Sequence, residues 1–144
     1  MILTFTVECA FGAYLKHECI REIEIDEEAS LYDLHEAIQD AVSFGRDHPF
    51  EFFLANSASP FARKQWLTEK EEWDDKEDDF CRIRLKDIFP LGRKRLCYLF
   101  DFGDNWTFEI RKQRKVEEAE TGVEYPRVVK TIGPNPEQYP NYED

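Results

Sequence analysis

The chain has 144 residues, 42% hydrophobic and 15% aromatic, so we expect one compact domain over residues 1–144. Its formal charge of −12 disfavours long-range attraction to nucleic-acid phosphates and to anionic lipid. The sequence contains no run of about eighteen apolar residues and does not open with a charged and then apolar leader, so we expect a cytoplasmic protein without a membrane span.

Alternating apolar and polar residues predict two strands at the start of the chain, in "ILTFTVE" and "IREIEID". If Leu3 lies opposite Ile25 in an antiparallel pair, Cys9 lies opposite Cys19 and residues 10–18 form a long hairpin loop. We expect free thiols, as in a reducing cytosol, although an oxidising compartment could join this pair. The four cysteines show no C-x-x-C spacing, so no structural metal is expected.

The segment "SLYDLHEAIQDAV" predicts a helix. Ser30 can cap its start and Asp33 lies at its third position, while the apolar stripe consists of Leu34, Ala37, Ile38, Ala41 and Val42. "FEFFLA", residues 50–55, predicts a third strand. This order indicates an α+β fold with an antiparallel or mixed sheet, one main helix packed on it, a β-grasp-like N-terminal half and a long C-terminal hairpin.

Two segments depart from this pattern. Residues 56–80 form an acidic excursion, since eight of the eleven residues from 69 to 79 are Asp or Glu, and either a helix or an ordered loop is compatible with residues 66–80. "RLKDIF" after it predicts a short helical turn. The tail, residues 133–144, is rich in proline and is expected to be extended.

The segment "YLFDFGDNWTFEI", residues 98–110, predicts a hairpin. Its Asp-Phe-Gly triplet holds magnesium in protein kinases, but the glycine-rich loop and the catalytic loop of a kinase are absent from the sequence. Side-chain parity favours a three-residue loop of Gly103, Asp104 and Asn105. The aromatic pairs would then be Phe102 with Trp106, Phe100 with Phe108 and Tyr98 with Ile110.

Asp101 lies opposite the aromatic face of this hairpin, beside Thr107. We interpret it as a carboxylate that anchors the loop by accepting N–H groups. Two alternatives stay open: partner binding, or a metal-dependent hydrolase in which Asp101 and Asp104 act with His48 or a carboxylate of the acidic segment. The candidate functional turn comprises Asp101, Gly103, Asp104, Asn105 and Trp106.

Seven of the nineteen basic residues gather at the other end of the predicted hairpin: Arg93, Lys94, Arg95, Arg111, Lys112, Arg114 and Lys115. The register pairs Lys94 with Arg114 and Arg93 with Lys115. This basic patch is interpreted as a charged strand edge, as a contact for the acidic segment within the chain or across a homodimer, or as a nucleic-acid contact, which the net charge disfavours. His35, just off the helical stripe, is expected at the surface.

The blocks "LYDLHEAIQDAVSF", "HPFEFFL", "YLFDFGDNWTFEI" and "YPRVV" resemble, in this order, the plasmid pRi open-reading-frame-three-like family, which includes insertion-sequence passenger proteins labelled TnpR. The most specific block is matched by Tyr98, Phe100, Asp101, Phe102, Gly103, Asp104 and Trp106. The resemblance implies a bacterial or archaeal intracellular protein, sometimes carried by mobile elements, and no established reaction. The tail "GPNPEQYPNYED" lacks the cysteine and paired glycines common in the family, so a tail-based metal or thiol site is not expected.

No serine or cysteine stands in a recognised nucleophile motif with a histidine, so no catalytic residue and no cofactor are indicated. The leading hypothesis is a non-catalytic accessory or protein-interaction domain that meets a protein partner through residues 101–106 and the proline-rich tail. The metal-dependent hydrolase and the nucleic-acid accessory protein are the alternatives.

Overall fold

The computed structural model of the protein describes residues 1–45, 49–57, 62–67, 77–89, 91–101 and 103–137. Seven strands are found in these ranges: β1 (Ile2–Phe11), β2 (Ile20–Asp26), β3 (Phe50–Ala55), β4 (Gln65–Trp66), β5 (Arg95–Phe100), β6 (Trp106–Glu117) and β7 (Arg127–Ile132). Three helices accompany them: α1 (Leu31–Val42), α2 (Glu77–Arg82) and α3 (Leu85–Ile88). The longest helix has 12 residues, so the described ranges contain no helix that could span a bilayer.

The strands form a single sheet in the order β4-β3-β5-β6-β1-β2-β7, and every pairing in it is antiparallel. The predicted α+β fold, with one main helix and a β-grasp-like half, is therefore wrong: a seven-stranded antiparallel sheet with three short helices dominates the described residues. The reason lies in β1, which pairs with β2 along one edge and with β6 along the other. This joins the two predicted halves into one sheet, and β7 extends it by a strand that was not predicted.

The first two strands pair in the predicted register, with Leu3 opposite Ile25. At the far end of the pair, the Cys9 amide donates to the Cys19 carbonyl over 2.9 Å. Both thiols are free and buried. Burial, with Cys19 close by, raises the pKa of Cys9 to about 12. The thiol is therefore protonated at neutral pH and is a poor nucleophile.

α1 begins as the sequence predicts. Ser30 Oγ accepts the Asp33 amide over 3.2 Å and Asp33 Oδ2 accepts the Ser30 amide over 2.9 Å, which makes a reciprocal capping box. The helix ends at Ser43, whose φ of 58° is left-handed. Its apolar stripe packs in the main core together with strand residues, so α1 covers one face of the sheet.

The two faces of the sheet carry cores of different size. The main core, on the helix side, contains the largest buried side chains, among them Phe5, Phe52, Phe80, Tyr98, Phe100, Trp106 and Phe108. A smaller core on the other face contains Phe53, Ala55, Cys97 and Leu99. Strand parity separates these two sets, as the side chains of neighbouring strand residues point to opposite faces.

Candidate functional site

The turn between β5 and β6 is longer than predicted and comprises residues 101–105. The observed pairs are Leu96 with Ile110, Tyr98 with Phe108 and Phe100 with Trp106. The predicted register, which paired Phe100 with Phe108 and Tyr98 with Ile110, is therefore wrong by two residues. A shift of two preserves side-chain parity, so the aromatic residues keep the predicted face of the sheet. Phe102, the predicted partner of Trp106, lies outside the described residues.

Asp101 ends β5 because its φ of 58° turns the chain out of the extended conformation. Its amide donates to the Pro49 carbonyl over 3.1 Å, and its carbonyl accepts the Asn105 amide over 2.6 Å. Its carboxylate Oδ1 accepts the Gly103 amide over 3.2 Å and the Asp104 amide over 3.4 Å. Asp101 is 7% exposed. This is the geometry of a carboxylate that organises its own turn.

A metal role for the turn requires further ligands beside Asp101 and Asp104. Within the described ranges, no group of three or more His, Cys, Asp or Glu residues is placed to hold a metal ion. His48, and most of the acidic segment that was considered for the remaining ligands, lie outside the described residues. Oδ1 of Asp101 already accepts two amides of the turn.

Replacing Asp101 with asparagine is expected to lower the free energy of unfolding by about 1 kcal/mol, because a neutral oxygen accepts the turn amides less strongly than a carboxylate does. Asparagine tolerates left-handed φ, so the substitution leaves backbone strain unchanged. Urea unfolding of both proteins, with and without magnesium, manganese, zinc or calcium, measures this. A metal that stabilises the wild type and not the variant would contradict the purely structural role.

The turn is held by the loop between β1 and β2. The Ala13 amide donates to the Asp104 carbonyl over 2.9 Å. Gly12 lies flat against the Trp106 ring, since a Cβ atom at residue 12 would be 2.2 Å from the ring carbon Cε3. Trp106 is fully buried and therefore not available to a partner, and its indole N–H has no hydrogen-bond acceptor within the described residues.

The same loop also reaches the described part of the tail. Residues 14–17 and 134–137 line a cleft of about 230 Å³. The structure thus brings the candidate turn and the start of the proline-rich tail to one end of the sheet, with the loop between them. Tail residues 138–144 lie outside the described residues.

Some residues of the predicted basic patch form ion pairs with nearby carboxylates and others do not. Arg95 Nη1 lies 3.0 Å from Glu109 Oε2, and Arg111 Nη1 lies 3.0 Å from Glu109 Oε1 and 3.1 Å from Glu8 Oε1. The Glu109 side chain is only 7% exposed, so these contacts also compensate a largely buried carboxylate. Lys115 Nζ also lies 3.4 Å from Glu117 Oε1, so three of the seven basic residues form ion pairs within the chain.

Lys94 lies apart from these ion pairs. The predicted pairs Lys94–Arg114 and Arg93–Lys115 are wrong, because the pairing of β5 with β6 ends at Leu96 and Ile110. The Lys94 ammonium instead donates to Gln65 Oε1 of β4 over 2.7 Å. It lines a groove with Arg63 and Lys64, two residues that the sequence patch did not include.

A buried polar network under α1 was not predicted. His35, expected at the surface, is 3% exposed and stacks on Phe50 with 3.7 Å between ring centroids. Its Nδ1 hydrogen-bonds the Tyr98 hydroxyl, to which Gln39 Nε2 also donates over 2.8 Å. The four-residue spacing of His35 and Gln39, which places both on one helix face, is the sequence signal for this network. Its hydrogen bonds fix α1 over β5.

Arg21 forms a second buried polar centre and is 2% exposed. Its guanidinium donates to the carbonyls of Ala41, Ile20 and Ile132 over 3.2, 2.9 and 3.0 Å, and to Asn135 Oδ1 over 2.7 Å. One side chain thus connects α1, β2, β7 and the tail. The sequence signal for the burial of Arg21 is its position in β2: it alternates with Ile23 and Ile25, so all three side chains point to the core face of the sheet.

β7 lies at the end of the sheet and, within the described ranges, pairs with β2 alone. Its first five residues are exposed, and Val128 and Val129 are each 44% exposed. The opposite end of the sheet is β4, which has only two residues. Within the described residues, the longer edge of the sheet therefore presents backbone without a strand partner together with apolar side chains.

An acidic groove of about 320 Å³ runs beside β7, between α1 and the residues that precede β7. Tyr125 and Pro126 form one wall. The other wall includes four carboxylates, Asp26, Asp33, Glu36 and Asp40. Asp33 also serves the capping box, while Arg127 of β7 is bound by Glu24 over 2.6 Å. The groove is therefore acidic, whereas β7 itself carries the basic residues Arg127 and Lys130.

The uncharacterized protein y4hQ of Sinorhizobium fredii (strain NBRC 101917 / NGR234) is 28% identical over 115 residues, which cover 79% of this chain and 55% of that protein. The chain thus spans about half the length of this curated relative. The crystal structure of MM3350, a protein of unknown function from Methanosarcina mazei Go1, matches with a TM-score of 0.67 and 26% identity over 90% of this chain and 68% of that one.

The family resemblance expected from the hairpin block is confirmed over most of the chain. Residues 11–138 match the sequence model of the plasmid pRiA4b ORF-3-like proteins, and this range includes the turn, the loop beside it and the edge strand β7. The two relatives carry no assigned activity in their names. The chain belongs to the plasmid pRiA4b ORF-3-like protein family.

Proposed function

We propose that this chain is a non-catalytic protein-interaction domain that accepts an extended, positively charged segment of a partner protein along β7. The observation that carries the proposal is the exposed apolar edge: Val128 and Val129 are each 44% exposed on a strand that pairs along one side within the described residues. An edge of this kind is a template for strand addition.

Strand addition suits the geometry of β7. Its six residues are close to the usual length of a strand, so a partner segment could form a full ladder of backbone hydrogen bonds. Isolated edges are commonly blunted by proline or by short length, as in the two-residue β4. β7 contains no proline, and its second and third residues are valines.

The charge of the segment follows from the acidic groove. Four carboxylates line the groove that reaches Pro126, the residue before β7, and the whole chain has a formal charge of −12. A basic segment would be steered toward this edge and an acidic one repelled from it. Tyr125, in the wall of the groove, already packs against the Arg127 guanidinium, which lies 5.7 Å from its ring centroid.

The turn at residues 101–105 supports partner binding less well, because the amides of Gly103, Asp104 and Asn105 are bonded to Asp101 and Trp106 is buried. No contact of the described residues favours the metal-dependent hydrolase over this proposal. A role as a mobile-element accessory protein is compatible with the plasmid named in the family description. No contact of the described residues supports that role specifically.

The test uses a short peptide of alternating valine and lysine, N-methylated along one edge so that it cannot form fibres. In an amide-resolved NMR titration, residues 127–132 are expected to show the largest shifts. Val128→Lys combined with Val129→Lys should weaken binding at least about tenfold, since it removes the apolar contacts and repels the peptide.

Val116→Lys is the matched control, because Val116 of β6 is 40% exposed and does not lie on the edge strand. This variant should bind the peptide as the wild type does, and a valine–glutamate peptide should not bind. Equal losses in the two valine variants would overturn the proposal. So would equally strong binding of a lysine peptide without valine, because binding would then require charge alone.

A further inference from the structure

We infer that one segment received along β7 is the β7 strand of a second copy of this chain, so that two copies form a symmetric dimer. The inference rests on the proposed function, because it uses the same edge of the sheet, and it names a partner for that edge. β7 pairs on one side among the described residues, and the other end of the sheet is the two-residue β4. Each copy therefore offers both a long edge and a strand that could occupy it.

β7 itself has the composition proposed for the partner segment. Its sequence is RVVKTI, which places two valines between two basic residues and contains no acidic residue. The chain as a whole has 31 acidic and 19 basic residues, so this strand is opposite in charge to its protein. A second copy would bring a basic and apolar strand to an edge that begins beside an acidic groove.

The edge and the groove carry charges that one copy leaves uncompensated. Lys130 is exposed and forms no ion pair in the part of the chain that the structure describes, unlike Arg127, which a carboxylate of β2 binds. In the groove, Asp26 and Asp33 each accept a backbone amide over 2.9 Å. No basic side chain of the described residues pairs with either carboxylate. A cation that arrives at this edge would therefore find negative charge that is not yet neutralised.

A two-fold axis through the valines avoids contact between like charges. Identical edge strands related by such an axis run antiparallel. If the axis passes through Val128, Arg127 lies opposite Val129 of the other copy. Lys130 then lies beside Pro126, where the acidic groove begins. An axis through Arg127 or Lys130 would place identical cations opposite each other, so pairing through the valines, each 44% exposed, is favoured.

The dimer should be weak and reversible. The pairing of β7 with β2 shifts between Glu22 and Ile23, which leaves Val129 as a bulge without a partner in β2. A bulged edge supports a shorter regular ladder than an unbroken one does. The two copies also repel each other through formal charges of −12, although salt at physiological ionic strength screens this repulsion beyond about 8 Å.

The test is sedimentation equilibrium of the whole chain in about 0.15 M NaCl, at concentrations up to about 1 mM. The dimer fraction should rise with concentration, and the NMR amide signals of residues 127–132 should shift with it. Val128→Lys combined with Val129→Lys should weaken association at least about tenfold, because it removes the apolar contacts at the axis and adds like charges there.

Lys130→Glu separates this inference from the proposed function. It should weaken the dimer at least about tenfold, because each copy then brings a less basic strand to a more acidic edge. It should not weaken binding of the valine–lysine peptide, which gains a carboxylate that attracts it. Lys115→Glu is the matched control: it makes the same charge change at an exposed lysine of β6, outside the edge strand, and should leave both equilibria nearly unchanged.

Loss of the dimer and loss of peptide binding are separate outcomes. A chain that stays monomeric up to about 1 mM but binds the peptide would overturn the dimer and leave the proposed function standing. A dimer that persists in the double valine variant, or that Lys130→Glu and Lys115→Glu weaken equally, would use another surface and overturn the inference. A dimer through residues 127–132 without peptide binding would support the inference and overturn the broader proposal that β7 accepts segments of other proteins.

Discussion

Arg21→Met is expected to lower the free energy of unfolding by about 4 kcal/mol, the size of effect seen when one partner of a buried charged network is removed. Arg21 is 2% exposed, and its guanidinium donates hydrogen bonds to four oxygen atoms. Methionine fills much of the same volume but donates nothing, so the carbonyls of Ala41 and Ile132 would lose this donor in a partly buried position. Urea unfolding monitored by tryptophan fluorescence measures the change.

The loss of stability in Arg21→Met should also be greatest close to Arg21. Arg21 bonds both the end of β7 and Asn135, so hydrogen exchange at residues 127–137 should accelerate more than exchange in β5. Arg114→Met is the control, since Arg114 is exposed and the same change there should alter stability by less than about 0.5 kcal/mol. A cost below about 1 kcal/mol for Arg21→Met would show that these four hydrogen bonds do not hold the edge strand.

Gly133→Ala is expected to cost about 3 kcal/mol, for two reasons that add. Gly133 has a φ of 81°, where alanine is strained by about 1 kcal/mol. A Cβ atom at this residue would also lie 1.7 Å from the Glu18 carbonyl oxygen, so the backbone of the loop or the tail would have to move, at about 2 kcal/mol. Thermal and urea unfolding of the variant measure the sum.

Gly122 provides a matched control for the first of these two costs. Its φ is 83°, and apart from its two chain neighbours no atom of the described residues lies within 4 Å of the position that a Cβ would occupy. Gly122→Ala should therefore show the backbone strain alone, about 1 kcal/mol. If the two alanine variants are equally stable, the close approach of the tail to Glu18 is not rigid in solution.

Local structure could be predicted from the sequence wherever one segment carried a clear helical or alternating pattern of apolar residues. α1 follows from the spacing of its apolar stripe and from Ser30 with Asp33, and the pairing of Leu3 with Ile25 follows from alternation. Long-range pairing could not be predicted in this way. An alternating strand such as β1 has two edges, and its side chains do not indicate that β6 occupies the second one.

The candidate site shows the same limit. Asp101 as an anchor of its own turn could be inferred from residue chemistry, whereas the length of the turn could not. The left-handed φ of Asp101 ends β5 early, and a three-residue and a five-residue turn give the aromatic residues the same parity. The groove of Lys94 with Arg63 was missed because it requires the pairing of β3 with β4, which no sequence pattern indicated.

The unequal edges of the sheet have a consequence for self-association. Two copies that met through β7 would use both long edges, and each outer end of the joined sheet would then be a two-residue β4. A two-residue edge gives too few hydrogen bonds to recruit another strand. If a strand adds to β7, the described residues offer no second long edge, so one partner or one second copy would occupy the single long edge that they present.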